Sequence, residues 1–272
     1  MFSQGHLIFI GISIALIIFG VIMCRLKKPP IGKLMLICFV ISLVLEAAKV
    51  LTVIQIIPVV EPAVENGMLV YRETGAYAPY IQREHLPFEL CSLQIAFMFL
   101  VLIVKDPAWK KHLLAFMYGT TIVGGTLALL FSSIAPEFET TAAFLTAPRA
   151  WEFYLYHSMI IVLGIDIGMD KRINLHFSDA KWLVLILIAL DCSTFYLNSI
   201  MSIPYYQGDN LVGMGYAINY FSSYSNLSGT VMSTKPLFFR WLLTRLGLGA
   251  VLITLVFLPL LLRKKKKSGT AE

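Results

Sequence analysis

Long apolar runs constrain this chain more than any other feature. Windows of roughly 17–25 residues recur seven times, at 7–24, 34–57, 86–104, 113–134, 151–169, 182–203 and 238–262. A backbone in hydrocarbon finds no water for its N–H and C=O groups, so it must bond them internally. A helix does that within a single segment. The runs therefore predict an all-α fold, a polytopic seven-transmembrane-helix bundle. With 58% hydrophobic and only 14% charged residues, the 272-residue chain lacks the polar cover of a water-soluble protein. The connectors leave no room for a second domain, and 1–272 reads as a single transmembrane domain of a multi-pass cell-membrane protein.

Charge supplies the topology. The net charge of +6 would suit nucleic acid in a soluble protein, but here the basic residues flank apolar runs. "RLKKPPIGK" holds four Lys/Arg, "KDPAWKK" three, "DKRINLHFSDAK" three and the tail "RKKKK" five. The alternate connectors, 58–85, 135–149 and 204–236, hold only Arg72, Arg83, Arg149 and Lys235. Positive residues stay in the cytoplasm, which places the N-terminus outside and the C-terminus inside. No nucleic-acid partner is expected. The first apolar run is neutral before and basic after, the reverse of a signal peptide, and reads as a retained span. The outer connectors are rich in Gly, Pro, Ser and Tyr, which predicts loops over the outer mouth with short interfacial helices.

Cys24, Cys38, Cys91 and Cys192 all lie in or beside apolar runs. They form no disulfide framework and no Cys/His zinc spacing. No metal and no cofactor is implied, and oligomeric state is not legible.

Polar groups inside spans are costly and mark functional candidates. They gather in the outer halves. Cys91 lies about five residues below the outer end of its span and His157 about seven, which at ~1.5 Å per residue is a common depth of about 8–10 Å. Glu46 and Lys49 share a helix face. Asn198 lies near the outer end of span six, Arg240 and Arg245 in the outer part of span seven, and His6 at the edge of span one. The pattern predicts an outward-facing polar cavity.

A cysteine and a histidine at matched depth fit a nucleophile and its base. The thiolate would attack an ester carbonyl of a phospholipid, and the acyl group would pass to a lysophospholipid hydroxyl or to water. Gln94 or Asn198 would donate to the oxyanion. Arg240 or Arg245 would hold a lipid phosphate. Glu46, Asn198 and His6 would orient or polarise the site. Plainer roles exist for each group. A cysteine packs, a histidine bridges helices, arginines snorkel, and Glu46 and Lys49 neutralise each other. Gly124-Gly125 fits close helix packing. Two rival functions follow. One is a small-solute transporter or channel using Glu46, Lys49, Asp191 and the arginines. The other is a non-catalytic receptor or scaffold.

Several stretches carry a family resemblance. "LPFELCSLQ" resembles the Leu-Pro-x-x-Leu-Cys stretch of YwaF-type integral membrane proteins, a family related to the eukaryotic transmembrane protein 164. "YGTTIVGGTLALLFSSIAPEF", "WEFYLYHSMIIVLG", "YLNSI", "INY" and the final "KP" resemble its later elements in order. His6 and Glu46 fall where the family carries a histidine and a glutamate. The resemblance implies transfer of a fatty acyl chain between phospholipids, with Cys91 as nucleophile and His157 as its partner.

Overall fold

The computed structural model describes residues 3–65, 68–82, 85–87, 89–132, 134, 138, 140–207, 210–216 and 235–268. The chain runs α1 (Gln4–Lys27), α2 (Ile31–Val53), β1 (Gln55–Glu65), β2 (Met68–Tyr80), α3 (Leu90–Ile103), α4 (Pro107–Leu130) and α5 (Thr141–Thr146). It continues through α6 (Pro148–Met169), α7 (Ala180–Met201), β3 (Ile203–Gln207), β4 (Asn210–Tyr216) and α8 (Lys235–Ser268).

Helix ends follow local chemistry. The Ser3 hydroxyl accepts the His6 N–H at 3.3 Å and starts α1. Lys28 stops it in a left-handed conformation, φ 44°, with its N–H on Cys24 O, and Pro29-Pro30 prevent continuation. Asp106 caps α4 by accepting the Trp109 N–H at 2.9 Å, and Pro107 opens the helix without wasting a donor. Pro148 opens α6 in the same way.

Among the described residues, five helices, α1, α2, α4, α6 and the segment containing α7, are long and apolar enough to cross a membrane. The chain is therefore a mostly helical multi-pass membrane protein. Two further apolar helical stretches are shorter: α3, at 14 residues, and Leu246–Leu261 within α8. The run expected to form a helix from 86 begins its helix only at Leu90.

The expected irregular outer connectors are corrected in two places. Between α2 and α3 the chain forms a long antiparallel hairpin, with Gln55 opposite Tyr80 and Glu65 opposite Met68. Between α7 and α8, Ile203–Gln207 pairs with Asn210–Tyr216. The bundle is thus all-α with two β-hairpins attached. Val, Ile and Tyr favour the pleated backbone, and pairing satisfies groups that a loop would leave to water. The connector between α4 and α6 does hold a short helix, α5.

The α4 and α6 helices form the centre. α6 packs on α1, α2 and α4, while α4 also packs on α3, α7 and α8. Small residues make their seam tight. A Cβ added at Gly164 would lie 2.2 Å from Thr121 Oγ1, one at Gly168 2.2 Å from Tyr118, and one at Gly125 2.7 Å from Ile161. Van der Waals contact drives helix association in lipid, so glycine at the seam brings whole helices together. Gly125 thus meets the packing expectation. Around Gly124 the space is open.

Candidate functional site

The α6 helix carries the site on one face. Arg149, Glu152, Phe153, Tyr156 and His157 recur at helical spacing and line one side of a cavity of about 130 Å³. The α2 helix contributes Glu46 and Lys49, and the start of α3 contributes its N-cap Glu89 with Cys91 and Ser92.

Cys91 and His157 therefore line the same cavity, although they reach it differently than helix counting suggests. Cys91 is the second residue of α3 rather than five residues into a span, whereas His157 is the tenth residue of α6. They meet because Tyr156 donates its hydroxyl hydrogen to Cys91 O at 2.5 Å. That bond ties the first turn of α3 to the residue beside His157.

The histidine is held and open at once. His157 is 4% exposed, and its Nδ1 lies 2.7 Å from Phe153 O. A carbonyl only accepts, so Nδ1 carries the proton and Nε2 the lone pair. Nε2 is buried and has no hydrogen-bond partner among the described residues. The Cys91 thiol is consequently not hydrogen-bonded to it in the free protein. A buried nitrogen left without a partner costs free energy unless a ligand, a water or a rotated thiol meets it.

The first helical bond of α3 runs from the Leu93 N–H to Glu89 O at 2.9 Å, and Glu89 makes no side-chain cap bond. The earlier N–H groups, at Leu90, Cys91 and Ser92, thus precede the helical ladder at the cavity wall.

Charge in the cavity is paired within helices. Glu46 bonds Lys49, and Arg149 bonds Glu152, each three residues apart. Lys49 is 6% and Glu152 8% exposed, so each relies on its partner. The Arg149 Nε–H is also buried without an acceptor among the described residues.

The remaining candidates divide. Glu46 lines the cavity. Gln94 turns towards α4, where its amide donates to Thr120 Oγ1 at 3.0 Å and to Leu90 O at 3.2 Å. His6 lies against α6 one turn away from the site, with Nδ1 2.5 Å from the Tyr154 hydroxyl. Asn198 is buried on α7 and does not line the cavity. Arg240 is exposed on α8, and the Arg245 side chain lies outside the described residues, as does Asn219.

Arg149, Glu152, Tyr156 and Glu89 are cavity residues that spacing arguments had not placed in the site. The signal was present. Residues 149, 152, 153, 156 and 157 follow the i, i+3, i+4, i+7 rule once Pro148 is read as the first residue of a helix.

A second cavity, of about 380 Å³, lies where α1 and α6 end. Arg25, Lys28, Lys171 and Arg172 line it with Asp166 and Asp170. Arg172 donates to both Asp170 carboxylate oxygens, at 2.9 and 3.0 Å, and to Pro29 O at 2.6 Å. Burial pushes the Asp170 carboxyl up, but the hydrogen bonds and charge of Arg172 together outweigh it and hold the group below its ordinary value. The two cavities share no lining residue. Among the described residues, no group of three His, Cys, Asp or Glu side chains is arranged to hold a metal ion.

No curated protein and no solved structure matches the chain. A family model does. The TMEM164 family model matches residues 1–262, nearly the whole length, and the chain therefore belongs to the TMEM164 family.

Proposed function

We propose that this protein is an acyltransferase of the cell membrane that acts on phospholipid acyl esters, with Cys91 as nucleophile and His157 as general base and acid. One observation carries the reading: Cys91 shares a cavity with a histidine whose Nδ1 is fixed and whose Nε2 has no hydrogen-bond partner among the described residues. Family membership supports a membrane protein of this kind.

In the first half-reaction, Cys91 turns towards Nε2 and gives up its proton. The sulfur attacks the ester carbonyl carbon. The oxyanion is met by backbone N–H groups of the first turn of α3, since the Gln94 amide is engaged with Thr120 and Leu90. Collapse breaks the ester C–O bond, and imidazolium protonates the departing lysophospholipid oxygen. In the second half-reaction, His157 takes the proton of an acceptor lysophospholipid hydroxyl, which attacks the thioester and releases the thiol. The Arg149 Nε–H, which has no acceptor among the described residues, donates to a lipid phosphate at the cavity wall. The bundle crosses seven times, with the N-terminus outside, so the cavity faces the outer leaflet.

Transport is the weaker reading. Between the two cavities α2 buries Met35 and Cys38, and α6 buries Ile160 and Leu163. A polar path would have to cross this packing.

The test is intact-mass measurement of purified protein after incubation with diacyl phosphatidylcholine. An acyl adduct released by neutral hydroxylamine is expected on wild type and absent from Cys91→Ser and His157→Ala. A folded wild type that forms no adduct, in membranes whose acyl composition matches those of both variants, removes the enzyme reading.

A further inference from the structure

The cavity continues into a second space of different chemistry. A groove of about 480 Å³, lined almost wholly by carbon, runs between α2 and α3. Glu46 and Ser92 line both the cavity and the groove. From that shared end the groove follows Glu46, Leu43 and Phe39 down α2 and Ser92, Ala96 and Phe99 down α3. Each set is spaced i, i+3 or i+4, i+7, so each is a single helix face. The rings of Phe39 and Phe99 stack at 5.9 Å at the far end. Leu43 and Phe99 are 46% and 48% exposed, so the groove is open sideways.

We infer that this groove holds the acyl chain of the scissile ester, from its carbonyl at Cys91 to the Phe39–Phe99 pair. Its occupant must join a polar group to an unbranched hydrocarbon, because the continuous space is charged at one end and apolar along its length. Seven residues at ~1.5 Å each make the groove about 10 Å long. At a ~1.25 Å advance per carbon, which single bonds of ~1.5 Å allow, that holds roughly eight methylenes. Beyond the ring pair the chain returns to the bilayer. Ala96 is the small residue that keeps the middle of the groove open. The inference rests on the proposed acyl transfer and adds to it the part of the substrate that is recognised.

The experiment compares wild type, Ala96→Phe and Leu100→Phe in nanodiscs on soluble phosphatidylcholines of increasing chain length. Ala96 is exposed, so a larger side chain there leaves the core intact. Leu100→Phe places the same ring on α3 outside the groove. Wild-type kcat/KM is expected to rise roughly threefold to fourfold per methylene and to level off near eight. Ala96→Phe is expected to level off near four and to lose at least tenfold on long chains, while Leu100→Phe follows wild type. A phosphatidylcholine with a mid-chain diazirine should label the Ala96–Phe99 segment of wild type and not of Ala96→Phe. A wild type without turnover on any chain removes the acyl-transfer reading. Turnover with an identical chain-length profile in Ala96→Phe, or labelling spread evenly around the bundle, overturns the groove alone.

Discussion

Two buried histidines sit against α6, and their surroundings separate packing from chemistry. His6 reaches Tyr154 on α6, and Phe9 stacks on Tyr154 at 4.6 Å with Phe144 edge-on to Phe9 at 5.2 Å. That region is an aromatic joint between α1, α5 and α6. His157 instead spends one nitrogen on its own helix backbone and leaves the other facing a cavity of paired charges. Both are nearly inaccessible, at 1% and 4%. Burial alone therefore does not mark a reactive histidine. What sets His157 apart is its place: it lines the cavity that Cys91 also lines, and His6 does not.

The largest expected effect breaks or keeps that contrast directly. His157→Ala should lower acyl transfer by about 10²–10⁴-fold, the usual worth of a general acid–base, in a radiolabelled transacylation assay. His6→Ala should stay within a few-fold of wild type. Equal losses in both would mean that the two histidines are not different in kind.

The next effect tests whether the cavity depends on paired charge. Arg149→Leu leaves the Glu152 carboxylate buried without its partner and should destabilise the protein by about 3–5 kcal/mol, read by thermal unfolding in detergent. The double variant Arg149→Leu/Glu152→Leu should recover most of that loss while remaining inactive. A double variant no more stable than the single one would show that pairing is not what holds the cavity wall.

Gly164→Ala probes the seam that carries both regions. The added methyl meets Thr121 Oγ1 at 2.2 Å, and overpacking of this kind costs about 1–3 kcal/mol. Thermal unfolding should show the loss, and Thr121→Ala should partly relieve it. Gly124→Ala, with open space around it, should be neutral.

The smallest effect sharpens the aromatic side of the comparison. Tyr154→Phe removes one hydrogen bond and keeps the ring stack, so about 1 kcal/mol of stability should be lost, with transfer activity unchanged. A large activity loss would draw His6 back into the site.

Much of the scaffold was legible because lipid imposes a simple rule. A spanning segment must be long, apolar and internally bonded, and α1, α2, α4, α6 and α7 declare themselves as such runs. The hairpins were less legible. Their alternating Val, Ile and Tyr sit among Gly and Pro, and pairing partners up to 25 positions apart, Gln55 and Tyr80, cannot be read from local composition. The sequence Asn66-Gly67, which suits a two-residue hairpin turn, was the available clue. Arg149 was counted in the connector 135–149, whereas Pro148 is the first residue of α6.

From the sequence alone came the membrane character, the family resemblance and the choice of Cys91 and His157 as residues to test. Tertiary structure decided which polar groups share a space. A side chain turns about 100° around the axis with each residue, so neighbours in sequence face different partners, and the packing of other helices chooses among them. Packing of α3 on α4 turned Gln94 to Thr120, and packing of α1 on α6 turned His6 to Tyr154. Packing of α2 on α6 set Glu46, Arg149 and Glu152 around the cavity. The Tyr156 bond to Cys91 O then brought a thiol from the start of one helix to a histidine in the middle of another.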